Sequence, residues 1–127
     1  MTFNMLNRSL RCLTTCLLLA VVPPASAVTG QITNFDPPGS PGRFLGISAI
    51  NRQGSIAGYF IGLDCLYHGF VRDSSGNFTI LDAPSAGKLY GEGTFAMGLN
   101  DAGQIVGYFN NSASGGISGF LRDPSGA

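Results

Sequence analysis

The residues best suited to acid–base chemistry surround a single histidine. His68 is the only histidine of the chain, and Tyr67 and Phe70 place it in an aromatic, glycine-rich segment. A His-dependent triad needs a nucleophile and a carboxylate that converge on the ring. The nearest candidates, Asp-Ser-Ser at 73–75, are turn formers first, and no G-x-S-x-G elbow occurs. A structural hydrogen-bonding role therefore fits His68 better than that of a general base.

Metal and phosphate sites have equally little support in the sequence. Cys65 and His68 stand three apart, but a zinc site takes three or four ligands. The segment 73–77, DSSGN, lacks the repeated acidic ligands and distal Glu of a calcium loop. Gly-Glu-Gly at 91–93 is a lone G-x-G with no helix predicted after it. We therefore predict no metal and no cofactor.

Carboxylate pairs, the catalytic groups of glycoside hydrolases, recur with a repeat of the chain. Asp36 and Asp82 occupy equivalent positions of one repeated segment, and Asp73 and Asp123 of another. Carboxylates that recur with a structural unit usually serve that unit, as Asx turns and loop caps. The sequence accordingly predicts no catalytic residue.

Most aromatic residues also recur with the repeat, which favours a role in the core. Tyr67 and Tyr90 do not recur, and we expect them at the surface. Together with His68 they are the predicted ligand contacts. Cys65 is the only cysteine beyond the N-terminal segment, and we favour a partly buried hydrophobic role over an intermolecular disulfide or a free thiol.

The N-terminal segment, residues 1–27, has the three parts of a secretory signal. Arg8 and Arg11 supply a positive start, an apolar run of eleven residues follows, and Ala-Ser-Ala at 25–27 is a small-x-small cleavage site. An apolar run of this length spans about half of a ~30 Å hydrocarbon core, so we expect no permanent membrane span. We predict a secreted, periplasmic or extracellular protein whose mature part is 28–127.

The mature chain carries a formal charge of −2, because two of the seven basic residues leave with the signal. It has no basic stripe, which excludes nucleic acid as a partner.

An internal repeat is the strongest pattern of the sequence. GISAINRQGSIAGYF recurs as FAMGLNDAGQIVGYF at an offset of 49, GFVRDSSG recurs as GFLRDPSG at an offset of 50, and TNFDPP echoes TILDAP. In that order, these pairs are residues 46–60 and 95–109, 69–76 and 119–126, and 33–38 and 79–84.

Each repeat reads as short strands separated by turns. Asn at the first and Gly at the fourth position of 51–54 and 100–103 predict type I turns with a left-handed glycine and a G1 bulge. A further turn falls at 73–77. The sequence predicts an all-β fold of tandem four-stranded antiparallel hairpin repeats, with no helical periodicity after Val28. The predicted strands are 47–50, 55–60, 67–72, 78–81, 97–99 and 104–109.

Four short strands in about 45–50 residues is the size of a propeller blade. The repeat resembles the HAF-repeat family of bacterial extracellular proteins. NDAGQIVGY at 100–108 fits its hairpin core, HGF at 68–70 fits its naming tripeptide with Gly for Ala, and TNFDPPG at 33–39 fits its last strand. SGF at 118–120 departs from it by lacking the histidine. The resemblance covers nearly all of 30–126 and implies a secreted, propeller-like fold, with no activity assigned to particular residues.

We divide the mature chain into an N-terminal strand and linker (28–42), a first repeat (43–87) and a second repeat (88–127) that lacks its last strand. The strand expected at 31–36 could fill that place. Two blades form an incomplete ring with exposed sheet edges. Self-association into a closed ring through these edges is one expectation. A truncated piece of a longer protein is the other, and the end of the sequence at a repeat junction favours it.

The function expected from these features is that of an exported, non-catalytic β-repeat scaffold or binding module. The loops at 61–67 and 83–92 differ between the repeats, and variable loops are where recognition concentrates. A glycan or a protein is the expected ligand. The alternative is a fragment of a secreted, propeller-type hydrolase that acts on polysaccharide.

Overall fold

The computed structural model describes residues 30–42 and 44–126. The predicted signal segment lies outside these residues. The chain divides into two units, Met1–Ile32 and Thr33–Ala127. Of the first, residues 30–32 are described, and they are exposed and form no strand. Within the described ranges, no helix combines the length and the apolar character needed to cross a membrane.

The all-β, blade-like fold predicted from the sequence is confirmed. The strands are β1 (Leu45–Ile50), β2 (Ile56–Ile61), β3 (Tyr67–Arg72), β4 (Phe78–Leu81), β5 (Gly93–Leu99), β6 (Ile105–Asn111) and β7 (Gly116–Arg122). Four of them pair antiparallel in the order β1-β2-β3-β4, and the other three in the order β5-β6-β7. We call these the first and second hairpin groups. One parallel bridge between Tyr67 and Gly93 joins them into a single curled sheet.

The turns have the geometry that their sequences predict. The Gly54 N–H donates to the carbonyl of Asn51 at 3.1 Å, and the Gly103 N–H donates to that of Asn100 at 3.1 Å. Both glycines have φ of +80°, a left-handed conformation that a side chain would strain. The Asn51 side chain closes its turn by accepting from the Ser55 N–H at 2.9 Å.

The two hairpin groups pack face to face because the sheet curls. Strand alternation puts Val71 and Leu81 on one face of the first group, and that face lies against β5. Leu81, Ala96 and Ile105 form the buried centre of this contact. Val71, Leu99 and Phe120 pack around it. The core of the molecule is therefore shared between the groups.

An aromatic cluster extends the same contact toward the starts of β3 and β5. The ring of Phe95 lies 4.5 Å from that of Tyr67 and 5.1 Å from that of Tyr59. On its other side it stacks on Tyr108, with ring centroids 4.7 Å apart. Phe95 thus links both groups through dispersion and burial of aromatic area.

Equivalent residues of the two repeats also meet where the hairpins turn. The Asn51 side-chain amide donates to the carbonyl of Asn100 at 3.1 Å. The Arg52 N–H donates to Asp101 Oδ1 at 2.9 Å, and the two side chains form an ion pair at 3.6 Å. At these turns, each residue of the first group therefore lies next to its own repeat equivalent in the second group.

The N-terminal strand predicted within 28–42 is absent from the described residues 30–42. Pro37 and Pro38 lack the N–H that a ladder needs, and a turn closes there by a 3.1 Å bond from the Ser40 N–H to the carbonyl of Pro37. Phe35 does not complete the second repeat. It packs on Phe78 of the first group, with ring centroids 6.1 Å apart, and under the guanidinium of Arg72.

Close packing at a repeated glycine, Gly58, gives a test of the packing within the first group, on the face that carries Phe70. A Cβ on Gly58 would lie 2.9 Å from the Phe70 ring and closer still to the Gly46 carbonyl. We expect Gly58→Ala to lower the free energy of unfolding by about 1–3 kcal/mol, as overpacking does. Urea denaturation measures the change. Gly116→Ala, where a Cβ meets nothing within 4 Å, is the control, with an effect within about 0.5 kcal/mol. Equal effects of the two changes would contradict the packing described.

Candidate functional site

The unrepeated loops of the molecule gather at one end of the strands. We call this the loop end; it consists of the segments 62–66, 82–92 and 112–115. The Gly91 N–H donates to the carbonyl of Cys65 at 3.2 Å, which joins the first two loops. The repeated four-residue turns lie at the opposite end. The loops that differ between the two repeats therefore lie at the same end of the molecule as the candidate binding groups.

His68 lies at the loop end between two carboxylates. Its Nδ1 is 2.8 Å from Asp82 Oδ1, and its Nε2 is 3.1 Å from Asp64 Oδ1. Strand β3 carries the histidine, the β2–β3 loop carries Asp64, and Asp82 follows β4. Gly62 admits the ring, because a Cβ there would stand 2.8 Å from His68 Nε2. Three elements thus converge on one imidazole.

The two hydrogen bonds require a proton on each ring nitrogen, so the arrangement fits an imidazolium. Partial burial lowers the pKa of His68, but the hydrogen bonds and negative charges of Asp64 and Asp82 outweigh burial and raise that pKa above 6.5. Burial also raises the pKa of Asp64, yet hydrogen bonds from His68 and the Leu66 N–H hold it below 3.8. In this geometry neither ring nitrogen has a lone pair free to accept a substrate proton.

The histidine and its two carboxylates line an open cavity of about 350 Å³. Asp64 and Asp82 are each about half exposed. The ring of Phe60 lies 5.4 Å from that of His68 and forms part of the floor. We call this the histidine cavity. Its remaining lining is mostly apolar: Pro38, Gly39, Gly62, Leu63 and Ile80.

The structure does not bring the three predicted contact residues into one site. Tyr67 and His68 are neighbours on β3 and therefore point to opposite faces of the sheet. Tyr67 is half-buried against Phe95 and Tyr59, because β5 covers its face. Tyr90 stands on the loop tip, 88% exposed. His68 and Tyr90 thus belong to the accessible loop end, whereas Tyr67 belongs to the aromatic cluster.

Glu92 is the group that sequence reasoning missed. It is buried, and its carboxylate accepts hydrogen bonds from the Leu89 N–H at 2.9 Å and from the N–H and hydroxyl of Ser112, the former at 2.7 Å. The hydroxyl of Ser112 and these N–H groups lower the pKa of Glu92 below its ordinary value. Gly87 leaves room for the carboxylate. An acid between glycines, Gly91 and Gly93, was the available signal.

Two asparagines reinforce this anchor of the loop that follows β4. Asn110 Oδ1 accepts from the Gly93 N–H at 2.8 Å. The Asn111 side-chain amide donates to the carbonyl of Ser85 at 2.8 Å. The loop is thereby held at both ends, and Leu89 and Tyr90 are left exposed at its tip.

Of the repeated carboxylates, Asp73 serves its own turn, whereas Asp123 and Asp82 bond to residues of other elements. Asp73 Oδ1 accepts from the Asn77 N–H at 2.9 Å, and Asp73 Oδ2 accepts from the Asn77 side-chain amide at 2.9 Å. Asp123 Oδ1 accepts from the side-chain amide of Gln104 at 2.8 Å. Of the repeated acids, Asp82 alone lines the histidine cavity.

Cys65 is half-buried and forms no disulfide with any residue in the described ranges. It ends the β2–β3 turn, where its N–H donates to the carbonyl of Gly62 at 3.1 Å. Its φ of +66° lies in the left-handed region that favours glycine. Among residues 30–42 and 44–126, no group of three His, Cys, Asp or Glu side chains is arranged to hold a metal ion.

Comparison of the chain with protein-family models, with curated proteins and with solved structures finds no match. The candidate site is therefore defined by the geometry of this chain.

The charged state of His68 gives a pH-dependent stability. Because the pKa of His68 in the folded state lies above the unfolded value of 6.5, the stability that the charged histidine contributes is fully present below pH 6.5. It is lost as pH rises through the raised pKa. We expect the wild type to lose stability relative to His68→Gln as pH rises from 6.5 through the raised pKa of His68. Urea denaturation across this range measures the difference. A constant difference would contradict the ion cluster.

Proposed function

We propose that the protein is an exported β-repeat scaffold that binds a glycan at its loop end and catalyses no reaction there. One observation supports this above the others: exposed apolar side chains stand next to half-exposed carboxylates at the end that gathers the unrepeated loops. Leu63 adjoins Asp64 in one loop, and Leu89 and Tyr90 project from the loop bonded to it.

The chemistry of these groups suits a polyhydroxylated ligand. Sugars present C–H faces that pack on aromatic and aliphatic side chains, and hydroxyls that donate to carboxylates. Asp82 binds His68 through Oδ1, while its Oδ2 accepts no hydrogen bond from the described residues. The cluster holds one positive and two negative groups, so it favours a hydrogen-bond donor over an anion. Phe60 and Ile80 supply an apolar floor.

The engaged state of the histidine supports binding over proton transfer. A general base needs a free lone pair within reach of the substrate proton. Both nitrogens of His68 face carboxylates. The imidazolium instead fixes the orientation of Asp64 and Asp82, which pre-organises the acceptors that a ligand would meet.

Export is part of the proposal because of the sequence pattern of residues 1–27, with its positive start, apolar run and small-x-small end. The resemblance of the repeat to the HAF-repeat family also favours an extracellular location. The ligand would then come from the surroundings of the cell.

The second candidate is a hydrolase acting on polysaccharide. One observation favours it: two carboxylates, Asp64 and Asp82, line the same cavity, and a carboxylate pair is what most glycosidases use. The two candidates differ in outcome, because a binding module leaves the glycan intact.

The test is a glycan array followed by calorimetric titration of each hit. We expect Asp82→Asn and Tyr90→Ser each to weaken binding by about tenfold, the equivalent of roughly 1.4 kcal/mol. Gln53→Ser, at the opposite end of the strands, should leave the dissociation constant unchanged. The bound glycan should be recovered uncleaved. Release of reducing ends, lost in Asp82→Asn, would favour the hydrolase; an array without hits would overturn the binding proposal.

A further inference from the structure

The exposed apolar residues of the second hairpin group are repeat equivalents of residues that the first group has covered. Val106, Ile117 and Leu121 are 49%, 72% and 60% exposed. At the repeat offsets they correspond to Ala57, Tyr67 and Val71. Ala57 is fully buried, and Tyr67 and Val71 are partly buried beneath the second group.

The three exposed residues share one face of the second group. Val106 pairs with Leu121 across β6 and β7, and Asn110 pairs with Ile117 four residues farther along each strand, so alternation puts Val106, Leu121 and Ile117 on the same face. We call this face the open face of the second group. A sheet face with several large apolar side chains in solvent marks an interaction site.

The first group has the complementary open face. Ile47 and Ile50 lie on one side of β1, where a bulge brings them onto the same face, and are 54% and 67% exposed. Their repeat equivalents are Ala96 and Leu99. Ala96 is fully buried and Leu99 packs against the shared core. Each open face is thus the equivalent of a face that the chain already buries within itself.

A segment of the chain also occupies equivalent places on the two groups. Residues 33–36 repeat the sequence of residues 79–82. The N-terminal segment, 33–36, lines a cavity together with Leu45 and Ile47. Residues of the segment 79–82 line another cavity together with Thr94, which is the repeat equivalent of Leu45. Residues 79–81 belong to β4, which covers the edge of β3. Residues 33–36 form no strand, and within the described residues β7 has β6 as its single neighbour.

We infer that a second copy of this chain docks head to tail on the molecule. The open face of the second group of one copy packs on the open face of the first group of the next. Residues 33–36 of the next copy lie along the free edge of β7, as β4 lies along β3. The intermolecular contact repeats the contact between the two groups of one chain.

Charge at the turns fits the same arrangement. Within one chain, Arg52 of the first group pairs with Asp101 of the second. In the head-to-tail contact, Asp101 of one copy faces Arg52 of the next, because the two positions are repeat equivalents. The two charges therefore remain opposite, with the acid in the place that the arginine has within one chain and the arginine in the place of the acid. Neither residue is buried, so this pair fixes the alignment of the two copies more than it adds to the affinity between them.

The contact is heterologous, since different surfaces of the two copies meet. A heterologous contact forms closed rings or open filaments, according to the rotation between copies. In either case one copy carries two independent halves of the interface, and each half can be disabled separately.

The experiment uses that property. Leu121→Asp places a charge on the open face of the second group, and Ile50→Asp places one on the open face of the first. Light scattering on a sizing column should show an oligomer for the wild type and a monomer for each variant alone. An equimolar mixture should form a dimer and nothing larger, because one intact half remains on each partner. Leu89→Asp, an equally exposed leucine outside both faces, should leave the oligomer unchanged.

Three results would overturn the inference: a wild type that stays monomeric at every concentration, variants that remain oligomeric, or a mixture that stays monomeric. Far-UV dichroism checks that each variant is folded. If one is not, Ile117→Asp and Ile47→Asp disable the same two faces and replace the pair. The substitutions change neither Asp82 nor Tyr90. Phe60, His68 and Ile80 share the face of Ile47 at its loop end, so the sizing experiment is run without glycan and tests the contact between copies by itself.

Discussion

The packing of β5 against the first hairpin group is the contact on which the rest of the structure depends. Ala96 lies fully buried between Leu81 and Ile105, and Phe95 packs on aromatic rings from both groups. Each group presents an apolar face that needs cover, and repeat proteins gain much of their stability from the interface between neighbours. Each hairpin group therefore supplies the cover that the other lacks.

That contact also builds the functional end of the molecule. Because equivalent turns meet at one end, the unrepeated loops are forced together at the other. The carboxylate of Glu92 then binds Ser112 and fixes the loop that bears Tyr90. The histidine cavity is held in the same way by charge, since Asp64 and Asp82 come from different loops and meet on His68. The scaffold repeats, whereas the loop end is specific to this chain.

Much of the local structure could be predicted from the sequence, because turn chemistry acts over four residues. Asn and Gly at 51–54 and 100–103 predicted the turns and hence the strands beside them. Burial could not be predicted in this way. Alternation separates Tyr67 from His68, but only the position of β5 decides that Tyr67 is the covered one. The hydrogen bond between His68 and Asp82 spans fourteen residues, and no short sequence motif predicts it. The proline pair at 37–38 was the available signal against a strand at 31–36.

The central claim is that the two groups form one cooperative unit through a shared core. Native-state hydrogen exchange tests it most directly, because it measures the free energy of opening for each amide. The account predicts that the slowest amides of β2 and β3 and those of β5 and β6 open with the same free energy, equal to that of global unfolding. Two well-separated levels, with one group opening while the other stays protected, would contradict it.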